Sequence, residues 1–341
     1  MDIKKHSKGI LKLIIFLSIG IFFVWYSLKD LSDEQLNTVI VNIKNVFEDN
    51  RWIYLLLCMF IGFLSVVFRA LRSVLMIEPM GYKVSNINSY HATMIGYFAN
   101  LAFPRLGEVL RCSVLQKYEK VPFQKTLGTV ITERIIDVMI FAIFFLITLQ
   151  IESEKILSIL SDSDAIKNIG NLFLGNGKYI VICVMVGIIA LIYIFRKQIT
   201  RLSISQRIIK IVIGFWHGLI SIKDLKKPFL FILYSLLIWL CFYLMFYICT
   251  FSFPDIMVFG TKDIMLASLT CVVIGTIGFV VAQGGLGAYP LLVSIVLLLY
   301  GIPEEIGLAI GWVIWTTESL MYSILGLVSL LLLSFKKDKK Q

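Results

Sequence analysis

The chain has 341 residues, of which 58% are hydrophobic and only 16% are charged. Soluble domains average about 45–50% apolar and about 25% charged residues, so a water-soluble fold could not cover this much apolar surface. The 32 Lys and Arg residues exceed the 22 Asp and Glu residues, but they fall in short groups between apolar runs. That distribution argues against nucleic-acid binding and favours contact with anionic lipid headgroups.

Eight apolar runs approach the roughly 20 residues that a helix needs to cross a bilayer. They are 9–28, 52–68, 126–149, 179–195, 228–253, 264–283, 286–300 and 306–335. The run 286–300 is short enough to be a half-helix, and 306–335 is long enough that it must tilt. A ninth stretch, 86–103, lacks charges but is rich in Asn, Ser and Thr, which favours a re-entrant segment or one buried in the bundle.

These runs predict an all-α polytopic membrane protein with about eight transmembrane helices and with re-entrant or broken segments. Interrupted segments in both halves are typical of transporters built from inverted repeats, so an inverted repeat is one arrangement they favour. We expect a single membrane domain over 1–341, with its core at about 52–335 and short basic tails.

The positions of Lys and Arg predict the orientation of the chain. With a cytoplasmic N-terminus, most of these residues fall in the segments 1–12, 69–125, 196–227 and 336–340, all on the cytoplasmic side. Most acidic residues fall in the opposite connections. We therefore expect the cytoplasmic (inner) membrane as the location, with both termini in the cytoplasm.

Two connections show helical apolar spacing and are predicted to lie on the membrane surface. In the first, 32–47, Ser32 and Gln35 form a capping box. The second is 203–222, in a cytoplasmic loop. Partner binding is the alternative interpretation for both. The six cysteines are single and the three histidines are scattered, so no metal or cofactor is expected.

Charged side chains within an apolar run are costly, so they are functional candidates. Glu133 and Asp137 are one turn apart on a helix, and Arg134 reaches Asp137 at the i+3 position. Either these residues form a structural ion-pair network or they line a hydrophilic cavity.

A second group follows the polar segment 86–103. Pro104 breaks the helix and Gly107 permits a tight turn. If the stretch after Pro104 is helical, Arg105, Glu108 and Arg111 share one face. Paired arginines suit a phosphate through their forked donors, although basic residues at a cytoplasmic boundary are also ordinary topology determinants.

A third feature is the glycine-rich stretch 283–290, in which Gly284, Gly285 and Gly287 predict unwound backbone inside the membrane. Five further polar residues are intramembrane candidates: Arg69, Arg72, His91, Asn100 and Glu318. Glu318 is near the middle of the last run and is either functional or protonated and merely hydrogen-bonded.

These motifs resemble the lysylphosphatidylglycerol synthase transmembrane-region family, also called the flippase-like domain family. The motifs are 100–108 through Arg111, then 129–137, then 215–219 ahead of Trp239, and 284–287 before a long last helix. The resemblance covers about 60–330. The resemblance implies that the protein moves charged lipids between leaflets, or that it accompanies enzymes of lipid or lipid-linked glycan synthesis. By the same resemblance the headgroup path would be lined by Arg105, Glu108, Arg111, Glu133, Arg134 and Asp137.

The chain departs from many relatives at Gln283, at Tyr289 with Pro290, and at Trp312 and Trp315, where they carry other residues. Only 336–341 follow Phe335, so we do not expect the soluble aminoacyl-transferase domain of the synthases, and we expect no lysine transfer to lipid.

The predicted function is translocation or handling of a phosphate-bearing lipid or lipid-linked intermediate by a protein that is not an enzyme. Its partners would be anionic or phosphate-bearing membrane lipids. The alternative is a non-catalytic scaffold for a separate lipid synthase or glycosyltransferase. A third interpretation, an intramembrane enzyme, rests only on His91 with Glu108.

Overall fold

A computed structural model of the chain describes residues 18–29, 31–48, 50–103, 105–153 and 225–335. Regular structure within these ranges is helical, with ten α-helices, three short 3-10 turns and no strand. The helices are α1 Ser18–Leu28, α2 Asp33–Asn45, α3 Trp52–Ile77, α4 Asn86–Ala102, α5 Leu106–Glu119, α6 Phe123–Ile151, α7 Pro228–Thr250, α8 Thr261–Val281, α9 Ala288–Leu298 and α10 Glu304–Ser334. The predicted all-α class is confirmed.

Four helices among the described residues are long and apolar enough to cross a membrane: α3 with the turn after it, α7, α8 and α10. The predicted span 126–149 lies within α6, which has 29 residues. With 11 residues, α9 is only about 16 Å long at 1.5 Å per residue, so it is a half-helix. The predictions for 9–17, 179–195 and 203–222 lie outside the described residues.

The predicted end of the second run, at Phe68, is wrong, because α3 continues to Ile77. The sequence suggested an end there because two arginines follow. Arg69 and Arg72 are instead 6% and 0% exposed, so they belong to the interior of the protein and not to its surface.

The helix predicted after Ser32 is present as α2. The Ser32 hydroxyl accepts a hydrogen bond from the Gln35 backbone at 3.2 Å, and the Gln35 side chain accepts one from the Ser32 backbone at 3.0 Å. This reciprocal pair satisfies backbone donors that a helix start otherwise leaves open. Val39 is buried and Ile40 is exposed, so α2 has one covered face.

The chain divides into two compact units, 1–133 with 225–341 and 134–224. In the first unit α7 packs along α3, and α4 contacts α3, α5 and α10. The half-helix α9 contacts both α8 and α10. The described part of the second unit is 134–153, the continuation of α6 and the residues just after it.

Glycines on α10 allow α9 to approach it closely. A Cβ at Gly307 would lie 2.8 Å from Ser294 Cα, and one at Gly311 would lie 2.6 Å from Pro290 Cα. Small residues four positions apart let helix backbones pack closely where the hydrophobic effect is weak. The broken helix α9 is therefore held in the bundle by backbone contact.

Candidate functional site

A buried ion pair joins α5 to α6. Arg111 Nη1 donates to Glu133 Oε2 at 2.9 Å, and Arg111 Nη2 donates to Glu133 Oε1 at 2.9 Å. Arg111 is 5% exposed and Glu133 is 1% exposed. Two parallel N–H···O bonds of this kind are strong and fix the orientation of both groups.

Helical periodicity places both partners on buried faces. On α5, Gly107, Arg111 and Leu115 are buried at intervals of four residues. On α6, Thr126, Thr129 and Glu133 are buried at intervals of three and four. Arg111 and Glu133 therefore lie on the buried faces of α5 and α6, where the neighbouring residues named above have small or apolar side chains.

Two arginines of α3 complete the cluster. Arg72 Nη2 lies 3.9 Å from Glu133 Oε2, and Arg72 Nη1 donates to Ser235 Oγ of α7 at 3.1 Å. The Arg72 guanidinium also lies 5.8 Å from the centre of the Phe231 ring. Because Phe231 and Ser235 are one turn apart on α7, a single face of that helix receives Arg72.

Arg69 lies one turn before Arg72, and its guanidinium lies 5.8 Å from the centre of the Tyr97 ring on α4. We name Arg69, Arg72, Arg111 and Glu133 the arginine cluster. Glu108, half-buried one turn before Arg111, adds a second carboxylate nearby. Among these named side chains, three guanidiniums accompany two carboxylates. Forked guanidinium donors of this kind suit carboxylate and phosphate anions.

A helix break separates α4 from α5, as the sequence predicted. Asn100 Oδ1 accepts a hydrogen bond from the Gly107 backbone at 2.7 Å across the break. A Cβ at Gly107 would overlap the Gly96 carbonyl oxygen, so only glycine fits there. Arg105 has a left-handed backbone, with φ of 63°, and precedes α5. Glu108 and Arg111 are therefore one helical turn apart on α5, whereas Arg105 lies before the helix and is exposed. Arg105 does not continue the spacing that relates the other two.

The second break, between α8 and α9, is also present, with positive φ at Gly284, Gly285 and Gly287. Its tip meets the tip of the first break, because Gln283 Nε2 donates to the Asn100 carbonyl at 2.5 Å. From α10, Trp315 Nε1 donates to the Gly284 carbonyl at 2.7 Å. We call this meeting point the hairpin junction. Its bonds satisfy backbone carbonyls that an interrupted helix leaves open.

A third polar feature lies on α10. The Tyr322 hydroxyl donates to Glu318 Oε1 at 2.7 Å. The Tyr322 ring stacks on Tyr97 with centroids 4.7 Å apart and planes at 6°. Since Arg69 contacts the same Tyr97 ring, this pair borders the arginine cluster.

Of the predicted site residues, the structure brings together Arg69, Arg72, Arg111 and Glu133, and separately Asn100, Gly107 and Gly284. His91 Nδ1 lies 3.0 Å from Ser329 Oγ. Arg134 and Asp137 follow Glu133 along α6 in the second unit, and Pro104 lies outside the described residues. The part of the chain that the structure describes has no group of three His, Cys or carboxylate side chains that could hold a metal ion.

Three residues that the contacts make part of these features were not named from the sequence: Tyr97, Ser235 and Tyr322. An aromatic or small polar residue in an apolar run is ordinary in a membrane helix, so nothing local singled them out. Gln283 and Trp315 were noted from the sequence only as departures from relatives, and not as site residues.

Comparison with known proteins gives one family. The family model described as the lysylphosphatidylglycerol synthase TM region matches residues 9–326. A UPF0104 membrane protein of Methanocaldococcus jannaschii is similar, with 28% identity over 149 residues. That stretch covers 43% of this chain and 41% of the relative, well under two thirds of either. No solved structure matches the chain.

Proposed function

Because the chain belongs to the family of the lysylphosphatidylglycerol synthase transmembrane region, we propose that it moves a phosphate-bearing lipid, or a lipid-linked intermediate, between the leaflets of the cytoplasmic membrane. The observation that carries this proposal is the arginine cluster. It holds three buried guanidiniums within a bundle of apolar helices.

The cluster supports the proposal through its geometry. Arg111 already holds a planar, two-oxygen anion, the carboxylate of Glu133, through two bonds of 2.9 Å. A phosphate presents oxygens at a similar spacing, and guanidinium groups bind it by the same fork. A lipid phosphate would therefore replace Glu133 as the partner of Arg111, and Glu133 would keep Arg72 and Arg111 neutralised when no lipid is bound.

We propose further that the protein performs no covalent chemistry. Guanidiniums remain protonated in proteins, so Arg69, Arg72 and Arg111 suit binding and not proton transfer. In the orientation expected from the basic segments, α5 and the start of α6 are at the cytoplasmic side. The cluster would then receive the headgroup from the cytoplasmic leaflet.

The test is lipid movement in vesicles that contain the purified protein. Fluorescent anionic, zwitterionic, cationic and polyprenyl-phosphate lipids are compared for their rate of transfer between leaflets. We expect faster transfer of at least one phosphate-bearing class in the presence of protein. Equal rates with and without protein for every class would refute the proposal.

The matched variant is Arg111→Lys, which keeps the charge but loses the fork. Its control is Lys83→Gln, an exposed basic residue before α4. We expect transfer to fall at least roughly tenfold in Arg111→Lys, the equivalent of about 1.4 kcal/mol, and to be unchanged in Lys83→Gln. A protein that anionic lipid stabilises but that moves none would instead support the accessory-scaffold function.

A further inference from the structure

Glu318 is a carboxylic acid near the middle of α10, Glu304–Ser334, the longest apolar helix in the part of the chain that the structure describes. A carboxylate at such a position is costly, and acids inside membrane helices mark ion paths and proton relays. Its Oε1 accepts a hydrogen bond from the Tyr322 hydroxyl at 2.7 Å, one turn along the same helix.

This pair connects to the arginine cluster through stacked aromatic rings. Tyr322 lies face to face with Tyr97 at 4.7 Å, and Arg69 lies at 5.8 Å from the Tyr97 ring. The charge of Arg69 acts on Tyr322, and the charge of Glu318 acts on Tyr289 of α9. The titratable groups that face the pair are thus Tyr97 from α4, Arg69 from α3 and Tyr289 from α9.

The turn of α10 before Glu318 reaches the hairpin junction. Trp315, one turn earlier on α10, donates to the Gly284 carbonyl at 2.7 Å. Tyr289 is the second residue of α9, and its ring packs over Gly275, where a Cβ would lie 2.7 Å from the ring. The turns of α10 on either side of Glu318 therefore contact the hairpin junction, through Trp315, and the aromatic ring beside Arg69, through Tyr322.

We propose that Glu318 is a proton-binding site whose occupancy is coupled to anion binding at the arginine cluster and to the hairpin junction. The proposed coupling to anion binding rests on the proposed lipid function, whereas the proposal that Glu318 binds a proton does not. The step is a proton exchange with the solvent: one O–H bond of a hydronium ion breaks as the O–H bond of the Glu318 carboxylic acid forms, a water molecule is released, and the reverse step returns the proton to water.

Electrostatics gives the direction of the coupling. An ionised Glu318 and an anionic headgroup bound at the arginine cluster carry like charges and repel each other. Protonation of Glu318 removes that repulsion, so proton and anion binding assist each other, and the effect is reciprocal. A pH gradient across the membrane would then drive the lipid in the direction of proton flow.

The first experiment needs no transport. Infrared spectra of the purified protein in detergent are recorded over an acid-to-alkaline pH series, following the C=O stretch of neutral carboxylic acids. We expect a titrating band that is absent in Glu318→Gln and present in Glu305→Gln, an acid in the first turn of the same helix. A series in which Glu318→Gln loses no band would overturn the proton site.

Tyr322→Phe keeps the ring stack but removes the hydroxyl donor, so it should shift the same band without abolishing it. This variant also decides the matter if Glu318→Gln does not fold, since an unshifted band in Tyr322→Phe would overturn the assignment to Glu318.

The second experiment imposes a pH gradient on vesicles that contain the protein. In the wild type the ratio of inward to outward lipid transfer should change up to about tenfold per pH unit, and in Glu318→Gln it should stay constant. Equal sensitivity in both would overturn the coupling. If the wild type moves no lipid, the proposed function fails alone and the infrared series still tests the proton site.

Discussion

Replacing Glu133 by Gln should destabilise the protein strongly, because it removes the negative charge that faces two buried guanidiniums. Arg72 Nη2 lies 3.9 Å from Glu133 Oε2 and Arg111 donates two bonds of 2.9 Å. Two unit charges about 4 Å apart attract by roughly 4 kcal/mol at an effective dielectric constant near 20. Measured losses on breaking buried pairs, about 3–5 kcal/mol, agree with this figure.

The change also turns one acceptor into a donor. The side-chain amide introduced by Glu133→Gln would present an NH2 group to Arg111, so at most one of the two bonds survives. A loss of about 3–5 kcal/mol is a large part of the roughly 5–15 kcal/mol by which proteins are stable. We therefore expect Glu133→Gln to give less folded protein after heating in detergent, measured by size-exclusion chromatography.

The control is Glu34→Gln, an exposed acid in the first turn of α2, which should be nearly neutral. A double-mutant cycle then isolates the pair. Arg111→Met combined with Glu133→Leu should lose less than the sum of the single losses, by about 0.5–3 kcal/mol, because neither charge is left stranded. Strictly additive losses would refute a direct Arg111–Glu133 interaction.

Three further predictions follow from the contacts. Gly107→Ala should disrupt the α4–α5 packing and reduce the yield of folded protein, because its Cβ would overlap the Gly96 carbonyl oxygen. The control is Gly128→Ala, whose Cβ would meet nothing within 4 Å, and it should be neutral or stabilising. Equal yields of the two variants would contradict the packing argument. Gln283→Leu removes a bond of the hairpin junction and should cost about 1 kcal/mol in thermal stability, with protease cutting between α8 and α9 as a second measurement. Burial raises the pKa of the Cys112 thiol to about 11. Peptide mapping should therefore find slow alkylation of Cys112 at neutral pH and a faster rate as the pH approaches 11. Fast alkylation at neutral pH would show that α5 is not packed as described.

Local features of the chain were readable from sequence because their causes are local. Ser32 and Gln35 are three residues apart, so the capping box that begins α2 needs no distant partner. The breaks between α4 and α5 and between α8 and α9 follow from glycine and proline, whose backbone preferences do not depend on the rest of the fold. The helical membrane class follows from composition, since lipid allows a chain to satisfy its backbone in few ways.

The end of α3 shows where local reasoning stops. Two arginines after an apolar run predict a membrane boundary, yet the helix continues through Arg69 and Arg72 because Tyr97, Phe231 and Ser235 receive them inside the bundle. The free-energy cost of burying a charged side chain depends on the residues around it in the fold, and the sequence pattern does not show which residues those are.

The candidate site was decided by tertiary structure. Arg111 and Glu133 were both candidates from the sequence, but they are 22 residues apart, and their pairing depends on how α5 packs on α6. Arg72 and Ser235 are 163 residues apart, and Gln283 and Asn100 are 183 apart. The sequence by itself determined which residues are charged, the helical membrane class and the two places where helices break. Only the tertiary structure decided which charges meet, because hydrogen bonds and ion pairs act over about 3–4 Å and depend on the packing of several helices at once.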